Sequence, residues 1–591
     1  MLNNLFLTDR TNIKKNNKRA FLIAAAATLL ISSINNIAFA QKLIQSREYP
    51  TTDFRYPLDL SPSTAGSFGE LRPNHFHSGL DFKTNQRTGY PVHAVYDGYI
   101  SRVRIQFGGF GKAVYITHPN GYTSVYGHIS AFTPAVTKYI KEYQYKNQTF
   151  EADIAIPKGM FNVSKSEIVA TSGNEGASAG PHVHFELRDT TSQETINPQL
   201  FGLTIPDQIP PAITSIGIYH LNGNPFSEKT PKEFMAVTGS NGNYRLAQPQ
   251  TLNLSGNIGF AIGVTDQNSA SINRNGIYSA ELKLDGVTVY TFAVERFGFD
   301  QTRAINAYID YPAYLTSHRW MQKCFIMPGS RITLYPQSIN GGIIPFNDNA
   351  EHDVEYVVKD IAGNTSTLAL KVKSNTDAGS PVPDKPLGKW FKFNQKNEFA
   401  NDKVKVTVMP GNLYDNLDFM YSTMPAKVGA LSLTHRIHNK LTPLHEGYDL
   451  WIKPDVDLGK LADKAVIVNA ATGSIGGKYD GGYVKASARA FGDYYIKLDT
   501  VPPVITPLNI RNGSNMAKVR SVNFRMSDNL SGIKSYVGKI DGKWVLMEWA
   551  YKSRILSYTF NNDIAPGKHT FELVVTDVKS NATTFTAEFN R

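Results

Sequence analysis

Residues 180–186 read Gly-Pro-His-Val-His-Phe-Glu. The two histidines, His182 and His184, stand two apart among Val, Phe and Leu, a pattern that predicts a β-strand. Side chains on a strand alternate between faces, so both imidazoles leave from one side, and Glu186 leaves with them. A loop of small residues, Ser172-Gly-Asn-Glu-Gly-Ala-Ser-Ala-Gly-Pro181, precedes the strand and can lie close against an extended ligand. By itself the pair also reads as two histidines on a solvated face.

Two further stretches bear on that choice. His77-Ser-Gly-Leu-Asp81 lies upstream and Tyr126-Gly-His128 lies between. Seven of the 14 histidines fall between His75 and His184. Zinc takes imidazole and carboxylate ligands, and a catalytic zinc keeps three protein ligands and one open position. His77, Asp81 and one histidine of the pair supply such a set. The other histidine and His128 are then left for proton transfer.

Together these stretches resemble the three signatures of the M23 (LytM/lysostaphin-like) metallopeptidases, in the family's order. Ser67-Phe-Gly69, Pro91-Val-His-Ala-Val-Tyr-Asp-Gly98 and His118-Pro-Asn-Gly121 add smaller matches, so the resemblance covers roughly residues 55–190. It implies a LytM-type β-sheet catalytic domain with Zn2+ held by His77, Asp81 and His184, and a water in the fourth place. It implies acid–base and oxyanion roles for His128 and His182, and endopeptidase hydrolysis of peptidoglycan stem peptides or cross-links. The strand argument does not separate His182 from His184; that assignment rests on the resemblance. Glu186 reads either as a support for a ligand imidazole or as a solvated glutamate. Fifty-four positions separate His128 from His182, more than the family usually needs. Within them Thr133-Pro134 opens an expected helix with Val136, Tyr139, Ile140 and Tyr143 on one face, placed to line or cover the cleft.

At 591 residues the chain exceeds one core and suggests three to five domains. Charged residues at 19% and hydrophobic ones at 41% mark a globular chain, and 11% aromatics favour β-structure. Lys14-Lys15-Asn-Asn-Lys18-Arg19, the apolar run Ala20 to Ile34 and Ala38-Phe39-Ala40 read as a signal peptide over residues 1–40. The rest is then exported, to the periplasm or cell surface, with no transmembrane segment after cleavage. Losing five Lys/Arg and one Asp lowers the net charge from +11 to +7. A modest positive excess suits an anionic wall polymer, and nothing points to nucleic acid. The single cysteine, Cys324, forms no intramolecular disulfide and reads as a buried thiol.

Within the first unit, residues 41–203, 99–106 alternates as a half-buried strand does, 113–117 reads as the next strand, and Thr123–Tyr126 leads into His128. Beyond Leu203 the sequence repeats itself. Ile209-Pro-Pro-Ala-Ile-Thr214 returns as Val501-Pro-Pro-Val-Ile-Thr506, and Val264-Thr-Asp266 returns as Met526-Ser-Asp528. Leu284-Asp-Gly286 returns as Ile540-Asp-Gly542, and Val357-Val-Lys-Asp360 with Asn364 returns as Val574-Val-Thr-Asp577 with Asn581. Short strands between turns imply Ig-like β-sandwiches at 204–378, with an insertion, and at 500–591. A β-rich domain is expected between them, at 387–499, after the linker Gly379–Pro386. The fold class is thus mainly β. Every expected catalytic residue precedes Leu203, so residues 204–591 should be removable without loss of the chemistry.

The 387–499 unit also contains His445-Glu-Gly-Tyr-Asp449, with the spacing of His77 and Asp81 but no His-x-His after it; it reads as coincidence. Two rival functions follow from the same residues. One is an inactive LytM-type activator of another wall hydrolase, and the other is a glycan- or surface-binding adhesin.

Overall fold

The computed structural model describes residues 43–221, 223–376, 385–560 and 564–591. The expected leader at 1–40 and most of the linker at 379–386 lie outside them. The architecture is mainly β. Among the described residues no helix is long and apolar enough to cross a membrane.

The histidine-bearing strand lies inside a large antiparallel sheet. Its strands are β1 (Thr64–Gly66), β2 (Leu80–Lys83), β3 (Gly98–Ile105), β4 (Lys112–Thr117), β5 (Tyr122–Gly127), β6 (Ala152–Ala155) and β7 (His182–Asp189), in the order β1-β2-β7-β5-β4-β3-β6. The alternation read from sequence appears in β3, which buries Ile100, Val103 and Ile105 and leaves the residues between them half-exposed. β7 differs because both faces are covered: every residue from His182 to Arg188 is buried. Val183, Phe185 and Leu187 enter the apolar core, so His182, His184 and Glu186 occupy the opposite face, also closed from solvent. A second small sheet joins Pro91–His93, Ile168–Thr171 and Ala131–Phe132.

The expected helix α1 spans Pro134–Asn147, with Thr133 at its N-cap and proline in its first turn. The Thr133 side chain makes no capping bond. Val136, Ile140 and Gln144 are its buried residues, while Tyr139 and Tyr143 are half-buried. It lies against β6 and the strand 131–132, and Tyr145 meets Trp544 with ring centroids 5.2 Å apart.

The large sheet does not end at residue 203. The strand Thr195–Ile196 pairs with β7 on one side and with Arg296–Phe297 on the other. Phe76, beside His77, packs against Phe292, Phe297 and Tyr308. Ser46 and Tyr49 donate hydrogen bonds to Glu295. Burying a phenylalanine contributes about 1.5–3 kcal/mol, so this seam adds substantially to the stability of the first unit.

Residues 212–374 form a twelve-stranded sheet system. Residues 389–498 form two five-stranded sheets and a two-stranded ribbon around a core that includes Phe391, Phe419, Tyr448 and Ile467. From 504 to 590 a four-stranded and a five-stranded sheet enclose another core, with Phe524 stacked on Phe571 at 5.2 Å. The sequence repeat extends to detail. The turns Asp285-Gly286 and Asp541-Gly542 share a left-handed backbone, and the two aspartates receive Nδ1 of His352 and His569 at 2.7 and 2.6 Å. Cys324 is buried, and burial raises its thiol pKa.

Candidate functional site: a histidine–aspartate metal centre

Strand register assembles the site. Asp81 on β2 lies directly across from His184 on β7, and His184 lies across from Gly127 on β5. His77 stands four residues before Asp81, ahead of β2. The donor atoms converge: His77 Nε2 is 3.1 Å from Asp81 Oδ1, His184 Nδ1 is 2.9 Å from the same oxygen, and the two nitrogens are 3.0 Å apart. All three residues are buried.

The motif glycines follow from this crowding. A Cβ on Gly79 would stand 2.3 Å from the Phe185 carbonyl oxygen and 3.0 Å from the His184 ring. A Cβ on Gly127 would meet Phe110, whose ring lies beside His184 with centroids 5.0 Å apart.

Each ligand is oriented by a second contact. His77 Nδ1 donates to the Ser67 carbonyl at 2.7 Å, which leaves Nε2 as the ligand atom. His184 Nε2 donates to Glu186 Oε1 at 2.9 Å, which turns Nδ1 inward. Arg72 Nη2 donates to Asp81 Oδ2 at 2.7 Å and leaves Oδ1 for the centre. Glu186 is fully buried and also accepts from Ser78 and Arg188, so its solvated reading does not hold. Burial would raise its carboxyl, but Arg188 and His184 outweigh that and lower it to about 2.

His182 and His128 flank this cluster, with ring centroids 4.8 Å apart. His182 Nδ1 donates to Gly180 O at 2.8 Å, and its Nε2 is 3.3 Å from Asp81 Oδ1. His128 directly follows β5 with φ of 58°, a left-handed conformation uncommon outside glycine, and its Nδ1 donates to Glu175 O at 2.7 Å. Both carbonyls come from the small-residue loop 172–181. Burial, then the neighbouring His184 and His182, lower His128 to about 3. It is therefore neutral, with a bare Nε2.

The ligand imidazoles divide. Burial lowers His77 to about 4. Burial acts on His184 in the same sense, but its bonds to Asp81 and Glu186 prevail and raise it to about 9. For Asp81, three surrounding imidazoles overcome burial and hold it well below the ordinary carboxylate range. The site thus holds a proton among three converging ligand atoms, where a cation is electrostatically favoured. A tetrahedral ion with bonds of about 2.0–2.1 Å separates its ligands by about 3.3–3.4 Å, so an opening of a few tenths of an ångström admits one. Two nitrogens and one carboxylate oxygen suit zinc.

The profile of peptidase family M23 matches residues 75–145. The chain carries an M23 domain. The chain matches curated relatives over 22% of its length. Over 142 residues it is 32% identical to an uncharacterized metalloprotease of Haemophilus influenzae, covering 22% of this chain and 24% of the relative. Over 131 residues it is 32% identical to the DD-carboxypeptidase/endopeptidase Mpg of Neisseria meningitidis serogroup B, with the same coverage. The chain thus spans about a quarter of the length of these relatives. Among solved structures, the catalytic domain of the prophage-encoded M23 protein EnpA from Enterococcus faecalis is similar at 26% identity. That match covers 25% of this chain and 97% of that one, with a TM-score of 0.19. A Zu5-like domain profile matches residues 388–499, beyond the M23 domain.

Of the sequence-read residues, the structure brings His77, Asp81, His184, His182 and His128 together. The other histidines of the segment lie elsewhere: His118 bonds Asp97 O and Ser124, His93 pairs with Asp59, and His75 bonds Pro73 O. Sequence reasoning missed Arg72. It stands outside every motif, and its partner is nine residues away across a two-residue hairpin, so no spacing marks it.

Proposed function

We propose that this chain is a zinc-dependent endopeptidase that hydrolyses peptide bonds in the stem peptides or cross-links of peptidoglycan. The observation that carries this reading is the triangle of His77 Nε2, Asp81 Oδ1 and His184 Nδ1, with edges of 2.9–3.1 Å, flanked by the imidazoles of His128 and His182. When bound, zinc supplies a Lewis acid for the scissile carbonyl and lowers the pKa of an attacking water. The protein's own groups do the rest. Of His128 and His182, one takes a proton through Nε2 and the other, once protonated, donates to the developing oxyanion. Their Nδ1 bonds to backbone carbonyls fix tautomer and aim. Arg72, Ser67 and Glu186 hold the ligands in place.

The substrate class is supported by the relative named a DD-carboxypeptidase/endopeptidase. The basic leader and apolar run of residues 14–34 support export to the periplasm or cell surface, where the wall lies. The test is incubation of the purified chain with peptidoglycan, with and without a chelator, and mass spectrometry of the products. New free amino and carboxyl ends that vanish with chelator and return with zinc are expected. Intact muropeptides in every arm would overturn the reading.

A further inference from the structure

Three carboxylates meet where the chain leaves the M23 domain. Asp207 stands three residues before Pro210, Asp266 follows the strand Gly256–Thr265, and Asp360 follows the strand Glu351–Lys359. One carboxylate oxygen from each lies within 4.8 Å of the others. The last unit repeats the arrangement. Asp499 stands three residues before Pro502, Asp528 follows Ser521–Ser527, and Asp577 ends Lys568–Asp577, again with ligand atoms within 4.8 Å.

The supports repeat as well. Ser269 N donates to Asp207 Oδ1 at 3.2 Å, and Ser531 N donates to Asp499 Oδ2 at 2.9 Å. Asn364 donates from its backbone and side chain to the two oxygens of Asp360 at 2.9 and 2.7 Å. Asn581 does the same for Asp577 at 2.8 and 2.6 Å. Two copies whose matching acids stand 217 to 292 residues apart thus keep the same three acids and the same braces.

Neither cluster is satisfied by protein alone. Asp266 is 5% exposed and Asp499 is 1% exposed, and Oδ1 of each has no hydrogen-bond partner among the described residues. The same holds for Oδ1 of Asp528, for Oγ of Ser531 and for Oδ1 of Asn275, whose backbone exchanges both hydrogen bonds with Asp266. Buried carboxylate oxygens without a donor are costly, and like charges add to the cost. Burial and the charges of Asp360 and Asp207 push Asp266 up to about 8. In the second cluster lysines approach the margin: Lys464 Nζ donates to Asn581 Oδ1 at 2.6 Å and to the Lys579 carbonyl at 2.7 Å.

We propose that each triad is a calcium site, one formed by Asp207, Asp266 and Asp360 and the other by Asp499, Asp528 and Asp577. The donors are oxygens only, which excludes the preferences of zinc or copper. Calcium binds oxygen at about 2.3–2.6 Å with six to eight ligands, so oxygens up to about 4.8 Å apart can share one ion. Magnesium demands near-ideal octahedral geometry and dehydrates reluctantly, so it is rarely held by a cluster of protein carboxylates alone. Both sites lie at Pro-Pro linkers, and the first braces the loop after Asp266 that grips the M23 domain. Thr64 donates to Asn268 at 3.3 Å, Lys83 to Ser271 at 2.6 Å, and Gly276 N to Ser67 Oγ at 3.0 Å.

The test is calorimetric titration of the full zinc-loaded chain with calcium chloride to about 1 mM, the range of extracellular calcium modules. Two equivalents are expected, with one lost in Asp266→Asn and one in Asp528→Asn, while zinc content stays at wild type. Calcium should raise the melting temperature of the wild type and raise it less in each variant. In calcium-free buffer Asp266→Asn should melt no lower than wild type, which separates ion loss from misfolding. No heat of binding in the wild type, an unchanged stoichiometry in either variant, or equal binding of magnesium would each overturn the proposal.

Discussion

The chain contains His-x-Gly-x-Asp twice. At 77–81 the two side chains meet, 3.1 Å apart at their ligand atoms. At 445–449 they part. His445 is buried with Nδ1 against the Tyr414 hydroxyl at 3.0 Å, while Asp449 is half-exposed and paired with Lys485 at 3.3 Å. The strand partners account for the difference. Asp81 lies across from His184, whereas Asp449 lies across from Ser487 on one side and Thr407 on the other. A five-residue spacing supplies two ligands at most, and the third comes from a strand about a hundred residues away. Register, which the local motif does not encode, turns the spacing into a site.

The largest effect expected is at the first copy. His77→Ala, Asp81→Ala and His184→Ala should each abolish stoichiometric zinc by elemental analysis and with it all hydrolysis, because three ligands leave no spare. His182→Ala binding no zinc while His184→Ala binds it fully would exchange those two roles. His128→Ala and His182→Ala should keep zinc and lose about 10²–10⁴-fold in peptide turnover, the usual size of acid–base help. Wild-type rates in both would leave the flanking imidazoles without a role.

A smaller effect is expected at the support. Glu186→Gln should weaken zinc binding by about 10–100-fold in chelator competition, because it no longer fixes the His184 tautomer. Apparent zinc affinity should also rise with pH. The ion-free His184 is raised to about 9, so its ligand proton is held below that pH and released above it. His77, lowered to about 4, stays neutral and adds nothing to the slope. Affinity should therefore climb about tenfold per pH unit between pH 6.5 and 9. A flat profile across that window counts against this account. The smallest effect belongs to the second copy: Asp449→Asn should leave zinc and turnover unchanged and cost less than about 1 kcal/mol in denaturant melts. Loss of a zinc equivalent there would break the contrast itself.

The catalytic strand and its neighbours were legible because their chemistry sits in short motifs and a strand has a period of two. His182, His184 and Glu186 share a face for that reason alone. Arg72 was not legible, nor was the pairing of 195–196 with 296–297, because contacts between distant segments leave no local pattern. The aspartate triads lie between these cases. Asp266 with Asp528 and Asp360 with Asp577 appear in sequence as repeated letters, but their convergence with Asp207 and Asp499 depends on how the strands close. The helix at 134–147 was legible from its proline and its apolar period, and its contact with Trp544 was not.

The seam at 195–196 and 296–297 also bears on how such a chain can be rearranged. A cut after residue 203 removes one of the two strand partners of Thr195 and Ile196 and strips Phe292, Phe297 and Tyr308 from Phe76, the residue next to the first ligand. Leucine 203 closes the chemistry in sequence, but the hydrophobic boundary lies far downstream. A chimaera meant to carry this catalytic sheet into another protein needs its junction near residue 376, at the end of the following unit.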